Sequence, residues 1–207
     1  MIINPAEQSN KENYKLLIGT VIPRPIAFVA TQSPEGRNNL APFSFFTAIT
    51  SNPPTICFAP ALRGKEGQKK DTLRNIEQTG EFVVNIVTED IAVQMNETAT
   101  EFPPEIDEFE YTGLTPIPSQ LVKPPRVKES PINMECRLYK IVPVGPSEAG
   151  GGALVIGEVI LFHVDDRLIE NFRIDHEALK PIARLAGQEY TTLGRRFSLE
   201  RKPFTGK

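Results

Sequence analysis

Residues 132 to 164 carry the clearest alternation in the chain. INMECRLYKIVPV (132–144) sets Ile132, Met134, Cys136 and Leu138 against Asn133, Glu135, Arg137 and Tyr139. This period of two predicts a strand with the first set facing in and the second facing out. GPSEAGGG (145–152) supplies a turn, and ALVIGEVILFHV (153–164) returns as the partner strand. Earlier, PIAFVATQ (25–32) is β-rich, and the turn formers of SPEGRNN (33–39) join it to LAPFSFFTAI (40–49). That pair reads as a hairpin with a long loop, and 40–49 as one continuous strand. TICFAPA (55–61), after the Pro53-Pro54 break, and EFVVNIV (81–87) are further strands.

Helical spacing is confined to short segments. KENYKLLI (11–18) is stopped by Gly19 and Pro23. DTLRNIEQTG (71–80) places Leu73 and Ile76 on one face, with Asp71 or Thr72 as cap and Gly80 as stop. TEDIAVQMNETA (88–99) has Thr88 as its cap, and Glu89 and Asp90 suit the positive end of the dipole. The proline-dense stretch 112–131 predicts an ordered surface excursion rather than a strand. Pro181 divides HEALKPIARLAG (176–187), which is helical at most in two pieces. Strands joined mostly by hairpins, without regular alternation with helices, predict a mainly β fold. The expected architecture is an antiparallel barrel with peripheral helices, formed by a single domain over 1–207.

Composition narrows the function classes. With 40% hydrophobic and 24% charged residues, the chain is of ordinary globular type. A net charge of −3 argues against a duplex nucleic-acid partner. No apolar run approaches membrane-helix length, and MIINPAEQSNKENYK has no signal-peptide pattern, so a cytoplasmic location is expected. Cys57 and Cys136 read as two buried thiols, and no His, Cys or carboxylate spacing suggests a metal site. His163 and His176 are explained by packing at least as well as by function. No G-x-S-x-G elbow is present.

Chemistry concentrates between residues 40 and 76. An aromatic run holds Ser44 among Phe43, Phe45 and Phe46, with small residues Ala41, Thr47 and Ala48 beside the rings. Such a run leaves room for a flat ligand against the backbone. Downstream, Arg63, Lys65, Lys69, Lys70 and Arg74 outnumber Glu66 and Asp71. A helix start at 71 offers free N–H groups, to which Lys70 and Thr72 add an ammonium and a hydroxyl. One end of the unit suits a planar aromatic group and the other a phosphate, which flavin mononucleotide combines. The plainer alternatives are a core strand, a solvated basic loop and a simple helix cap. A β-barrel stacking single-stranded nucleic acid on phenylalanines is a further reading, opposed by the net charge.

RPIAFVAT (24–31), NLAPFSFFTAI (39–49), NPPTICFAPA (52–61), KDTLRNIEQTGEFVVNIV (70–87), IGEVILFHVDD (156–166) and ARLAGQEY (183–190) resemble the flavin reductase-like, FMN-binding split-barrel family. The similarity is to its flavoredoxin and nitrilotriacetate monooxygenase component B branch. The resemblance implies a Greek-key split β-barrel, a homodimer, and FMN bound near the subunit interface. By position, Ser44, Phe45, Phe46, Thr47 and Ala48 border the isoalloxazine ring, and Lys70, Asp71 and Thr72 meet the phosphate and ribityl end. Arg24 and Arg184, with Tyr190, line the pocket or the interface. The implied reaction is hydride transfer from NADH or NADPH to the flavin, with electrons passed on to a monooxygenase or other acceptor partner. It requires no side-chain acid or base, so no catalytic residue is assigned. An FMN-binding carrier or sensor without turnover fits the same residues.

Overall fold

The protein is described here as a computed structural model covering residues 1–64, 66–103 and 105–204. Helix α1 (Asn10–Thr20) starts at a capping box in which Ser9 and Glu12 satisfy each other's backbone N–H groups. Strands β1 (Ala27–Gln32), β2 (Asn38–Phe43), β3 (Phe46–Ser51) and β4 (Pro54–Phe58) follow. Helix α2 (Asp71–Thr79) then leads through Gly80, in the left-handed conformation, into β5 (Glu81–Ile86). Two short helices, α3 (Ala92–Glu97) and α4 (Glu108–Thr112), precede the two-residue strands β6 (Pro116–Ile117) and β7 (Arg126–Val127). The long hairpin of β8 (Ile132–Val144) and β9 (Gly152–Val164) completes the sheet. Among the described residues, no helix is long and apolar enough to cross a membrane.

The expected continuous strand over 40–49 is two strands, broken at Ser44 and Phe45. This break determines the architecture. The seven strands run in the order β2-β1-β5-β8-β9-β4-β3, so β2 and β3 are opposite edges of one antiparallel sheet. Laid flat, six inter-strand spacings would part those edges by about 29 Å. The chain crosses between them from Phe43 to Phe46 in three Cα steps, which span at most about 11 Å. The sheet must therefore roll until its edges meet. No ladder joins β2 to β3 among the described residues, so the barrel is closed by the chain and remains split along that seam.

Rolling creates two apolar compartments. Inside, Phe43, Phe58 and Phe82 stack in sequence, with ring centroids 5.0 and 5.6 Å apart. Leu73 and Ile76 of α2 join this interior cluster, so the helix packs against the barrel interior. Outside, Phe28, Leu40 and Val83 pack with Met95, Phe109, Leu114 and Val127 from α3, α4 and the excursion. β1 is buried on both faces, which accounts for its unbroken apolar reading.

The alternation in β8 fails at one end for the same reason. Asn133 and Glu135, expected to face solvent, are buried beneath the proline-dense excursion. Asn85 Oδ1 accepts from Val127 N and from Asn133 Nδ2, each at 2.9 Å. Glu135 accepts from Gln120 N at 2.7 Å and Leu121 N at 2.6 Å, and lies 2.6 Å from His163 Nε2. Burial alone would raise the Glu135 carboxyl pKa, but the two N–H groups and His163 outweigh burial and lower it. The excursion is thus held down by side-chain acceptors, as an ordered cover without a long strand of its own. Residues 176–187 open with a single helical turn, His176–Leu179, and continue extended, with Ala183–Arg184 paired to Tyr190–Thr191.

Gly157 of β9 faces the Phe82 ring so closely that a Cβ there would lie 2.2 Å from Phe82 Cζ. Phe82 is fully buried in the interior stack. Gly157→Ala is therefore expected to destabilise the fold by roughly 1–3 kcal/mol, measured by denaturant unfolding.

Candidate functional site

The corner at Ser44 and Phe45 brings one group of residues together. Phe45 accepts a backbone hydrogen bond from Ala59 N at 2.9 Å, which fixes the start of the 59–70 loop beside the corner. Beyond it, β3 is half-buried at Phe46 and exposed from Thr47 to Ser51. Thr47 and Ala48 therefore offer backbone and small side chains on an open surface.

Arg24 organises the other side of the corner. It is only 4% exposed, and no carboxylate of the described residues lies within ion-pair distance. Its Nη1 donates to Ile18 O and Val21 O, each at 2.7 Å, and Nη2 to Leu185 O at 2.8 Å. Its Nε makes a long contact of 3.5 Å with Ser44 Oγ. Burial, with the neighbouring Arg184 charge, lowers the Arg24 pKa, although a guanidinium remains charged. Arg24 N donates to Arg184 O at 3.0 Å and Arg184 N to Arg24 O at 2.8 Å. The Arg184 guanidinium lies 4.4 Å from the Tyr190 ring centroid, and Tyr190 OH donates to Asn96 Oδ1 at 2.8 Å. Arg24, Ser44, Phe45, Arg184 and Tyr190 are thus one constellation.

Lys70, Asp71 and Thr72 form a second one, on the opposite face of β2. Lys70 occupies the cap position of α2, and no side chain caps the helix. Neither Asp71 nor Thr72 is the expected cap. The Lys70 ammonium lies 5.2 Å from the Phe43 ring centroid. Burial, reinforced by the Arg63 charge, lowers its pKa. The remaining cations of this loop are engaged: Arg63 and Arg74 pair with Asp71, and Lys69 with Glu77. Lys65 lies outside the described residues. Thr72 is only 1% exposed, and its Oγ1 accepts from Asn39 Nδ2 at 2.9 Å. Its hydroxyl is part of the β2–α2 contact rather than near solvent. Phe43 and Ser44 link the two groups, with consecutive side chains on opposite faces.

The arrangement fits a ligand that is flat at one end and anionic at the other. An exposed strand edge runs from the corner, and a partly desolvated ammonium, with no carboxylate of the described residues within ion-pair distance, stands at an uncapped helix start. Phe43, which faces Lys70, belongs to the aromatic run read from the sequence, whereas Asn39, which holds Thr72, had no separate signal. Only strand pairing places them there. Tyr14 and Met95, which line the cleft beside Ser44, come from helices remote in sequence.

The Flavin reductase like domain family matches residues 18–180. The chain belongs to that family, and the split barrel agrees with it. Nitrilotriacetate monooxygenase component B from Bacillus cereus is 46% identical in sequence, with a TM-score of 0.92 over 96% of this chain and 98% of that one. 2-Nitrobenzoate 2-nitroreductase from Pseudomonas fluorescens is 32% identical, with a TM-score of 0.87 over 100% and 99%. Flavoredoxin of Desulfovibrio vulgaris is 22% identical, with a TM-score of 0.73 over 99% and 98%, a likeness of fold.

Glu108, at the start of α4, borders the site from the α2 side. Its Oε2 accepts from Leu40 N at 3.0 Å, and burial raises its pKa to about 7. A raised folded-state pKa means that the contribution of this group to stability is complete below the unfolded value. That contribution is lost as pH rises through about 7. Stability is expected to fall by up to roughly 3 kcal/mol between pH 5 and 8. Glu108→Gln, which keeps an acceptor for Leu40, should flatten the pH profile measured by denaturant unfolding.

Proposed function

We propose that the protein is an FMN-dependent oxidoreductase, reducing flavin with NADH or NADPH and passing electrons to an acceptor. The observation that carries this reading is the Lys70 ammonium, partly buried and with no carboxylate of the described residues within ion-pair distance, at the uncapped start of α2. A phosphate there would regain the electrostatic stabilisation that burial removes. Family membership and the similarity to a nitrilotriacetate monooxygenase component support the same reading.

Lys70 and the free N–H groups of Asp71 and Thr72 would hold the phosphate end. The segment Ser44, Phe45, Phe46, Thr47 and Ala48 would border the ring, largely through its backbone. Arg24 and Arg184 would flank it. Asp71, neutralised by Arg63 and Arg74, would repel a nearby phosphate less than a free carboxylate. Bound FMN would supply hydride acceptance and onward electron delivery, while the chain orients it and excludes water. Backbone N–H groups aimed at the ring would favour its reduced, more electron-rich form.

Two copies are proposed to pair over the exposed apolar surface of α1, β3 and the residues flanking them, where Tyr14, Leu17, Val21, Phe45 and Ile49 lie. A monooxygenase or comparable protein would receive the electrons, in the cytoplasm.

Anaerobic titration of the flavin-loaded protein with NADH and NADPH tests the activity directly. Bleaching of the flavin absorbance by one of them is expected. Bound flavin that neither bleaches would mark a carrier or sensor, and failure to bind FMN would remove the proposal.

Lys70→Gln should weaken FMN binding by about 1.5–3 kcal/mol through loss of a charge-assisted hydrogen bond. Riboflavin, which lacks the phosphate, should bind wild type and variant alike. Equal loss for both ligands would refute the phosphate assignment. Thr72→Ala is a poorer probe, since it also breaks the buried Asn39 contact.

A further inference from the structure

Beside Ser44 lies a cleft of about 160 Å³ with an unusual charge pattern. Arg24 and Arg184 line it, along with the rings of Tyr14 and Tyr190, Met95 and Pro42, and no carboxylate does. The cleft on the α2 side is the useful contrast. There Arg37, Arg63 and Arg74 are set against Glu35, Asp71 and Glu108, so the charges largely cancel. In a chain of net charge −3, two guanidiniums without an acidic neighbour create a local positive site.

The two arginines differ in what they have left to offer. Arg24 is buried, and its donors are directed to Ile18 O, Val21 O, Leu185 O and the Ser44 hydroxyl. It contributes charge and rigidity. Arg184 is half-buried, and among the described residues its one side-chain hydrogen bond is from Nη2 to Gly187 O. Its remaining donors are free for a ligand, and stacking on Tyr190 holds the guanidinium plane in place. The walls are apolar and aromatic around this polar fork.

Size then limits the occupant. Drug-sized ligands occupy roughly 300–1,000 Å³, whereas an apolar cavity of about 150 Å³ holds benzene. The enclosed part of the cleft suits a single ring, so a tricycle bordering Ser44 would lie outside it, along the exposed β3 edge. We propose that the cleft binds a monocyclic aromatic carboxylate, with Arg184 pairing the carboxylate and the ring packed among Tyr14, Met95 and Tyr190. The acid would adjoin the Ser44 segment. The inference rests on the flavin reading only for that neighbour; ligation by Arg184 does not require flavin.

Benzoate titrated calorimetrically into the full chain is the test, with flavin content recorded separately by absorbance. Saturable binding is expected, with benzamide, of the same shape but uncharged, at least about tenfold weaker. Arg184→Gln should lose at least about tenfold for benzoate but little for benzamide, and Arg184→Lys should fall between. Ala99 is exposed at the rim of the cleft, so Ala99→Phe should block benzoate while leaving thermal unfolding unchanged. Absence of benzoate binding, equal affinity for benzoate and benzamide, or full affinity in Ala99→Phe would overturn the assignment. A flavin-loaded protein that ignores benzoate defeats this inference alone. A protein that binds benzoate but never takes up FMN defeats the flavin reading alone.

Discussion

The short passage of chain from Phe43 to Phe46 is the constraint on which the structure depends. It takes the backbone from one sheet edge to the other without a turn of its own. Everything between those edges must curve to permit it, and the interior cluster of Phe43, Phe58 and Phe82 fills the space so enclosed. Because β2 and β3 meet without pairing, the seam retains backbone groups that an ordinary closed barrel would consume. Those groups lie where the small and aromatic residues of the corner are concentrated. Fold and candidate site therefore share a single origin: the seam where the barrel closes without pairing its edges.

Electrostatics adds selectivity to this geometry. The chain is acidic overall, and most of its cations near the site are spoken for. Asp71 engages Arg63 and Arg74, and Glu77 engages Lys69. Among the described residues, Lys70, Arg24 and Arg184 have no carboxylate within ion-pair distance, and none of the three is fully in water. Low local dielectric strengthens the pull of such charges on an anion while making them costly when alone.

Periodicity made much of this fold legible. The β8 strand spans the residues its alternation predicted, and the β1–β2 hairpin, the span of α2 and the Gly80 stop fall where turn formers and helical spacing placed them, although the cap of α2 is Lys70 rather than Asp71 or Thr72. Reading failed where tertiary cover intervened. Alternation assigns Glu135 to solvent because no local signal reveals that residues 120 and 121 will lie over it. The run 40–49 looks continuous because Ser44 and Phe45 suit a strand as well as a corner. A count of positive charges in 63–74 shows a basic loop, but only the folded partners show that, among its described cations, Lys70 has no carboxylate within ion-pair distance. The resemblance of the blocks around Ser44, Lys70 and Arg184 identified the family, which the match over 18–180 bears out.

Arg24 reaches carbonyls at residues 18, 21 and 185, and those positions are separated by most of the polypeptide. During synthesis, every strand of the main sheet has emerged before Leu185 does. A growing chain therefore holds the material for a rolled sheet while its buried guanidinium still lacks one acceptor. The pocket wall is completed by residues made after the whole main sheet, which orders its assembly after that of the barrel.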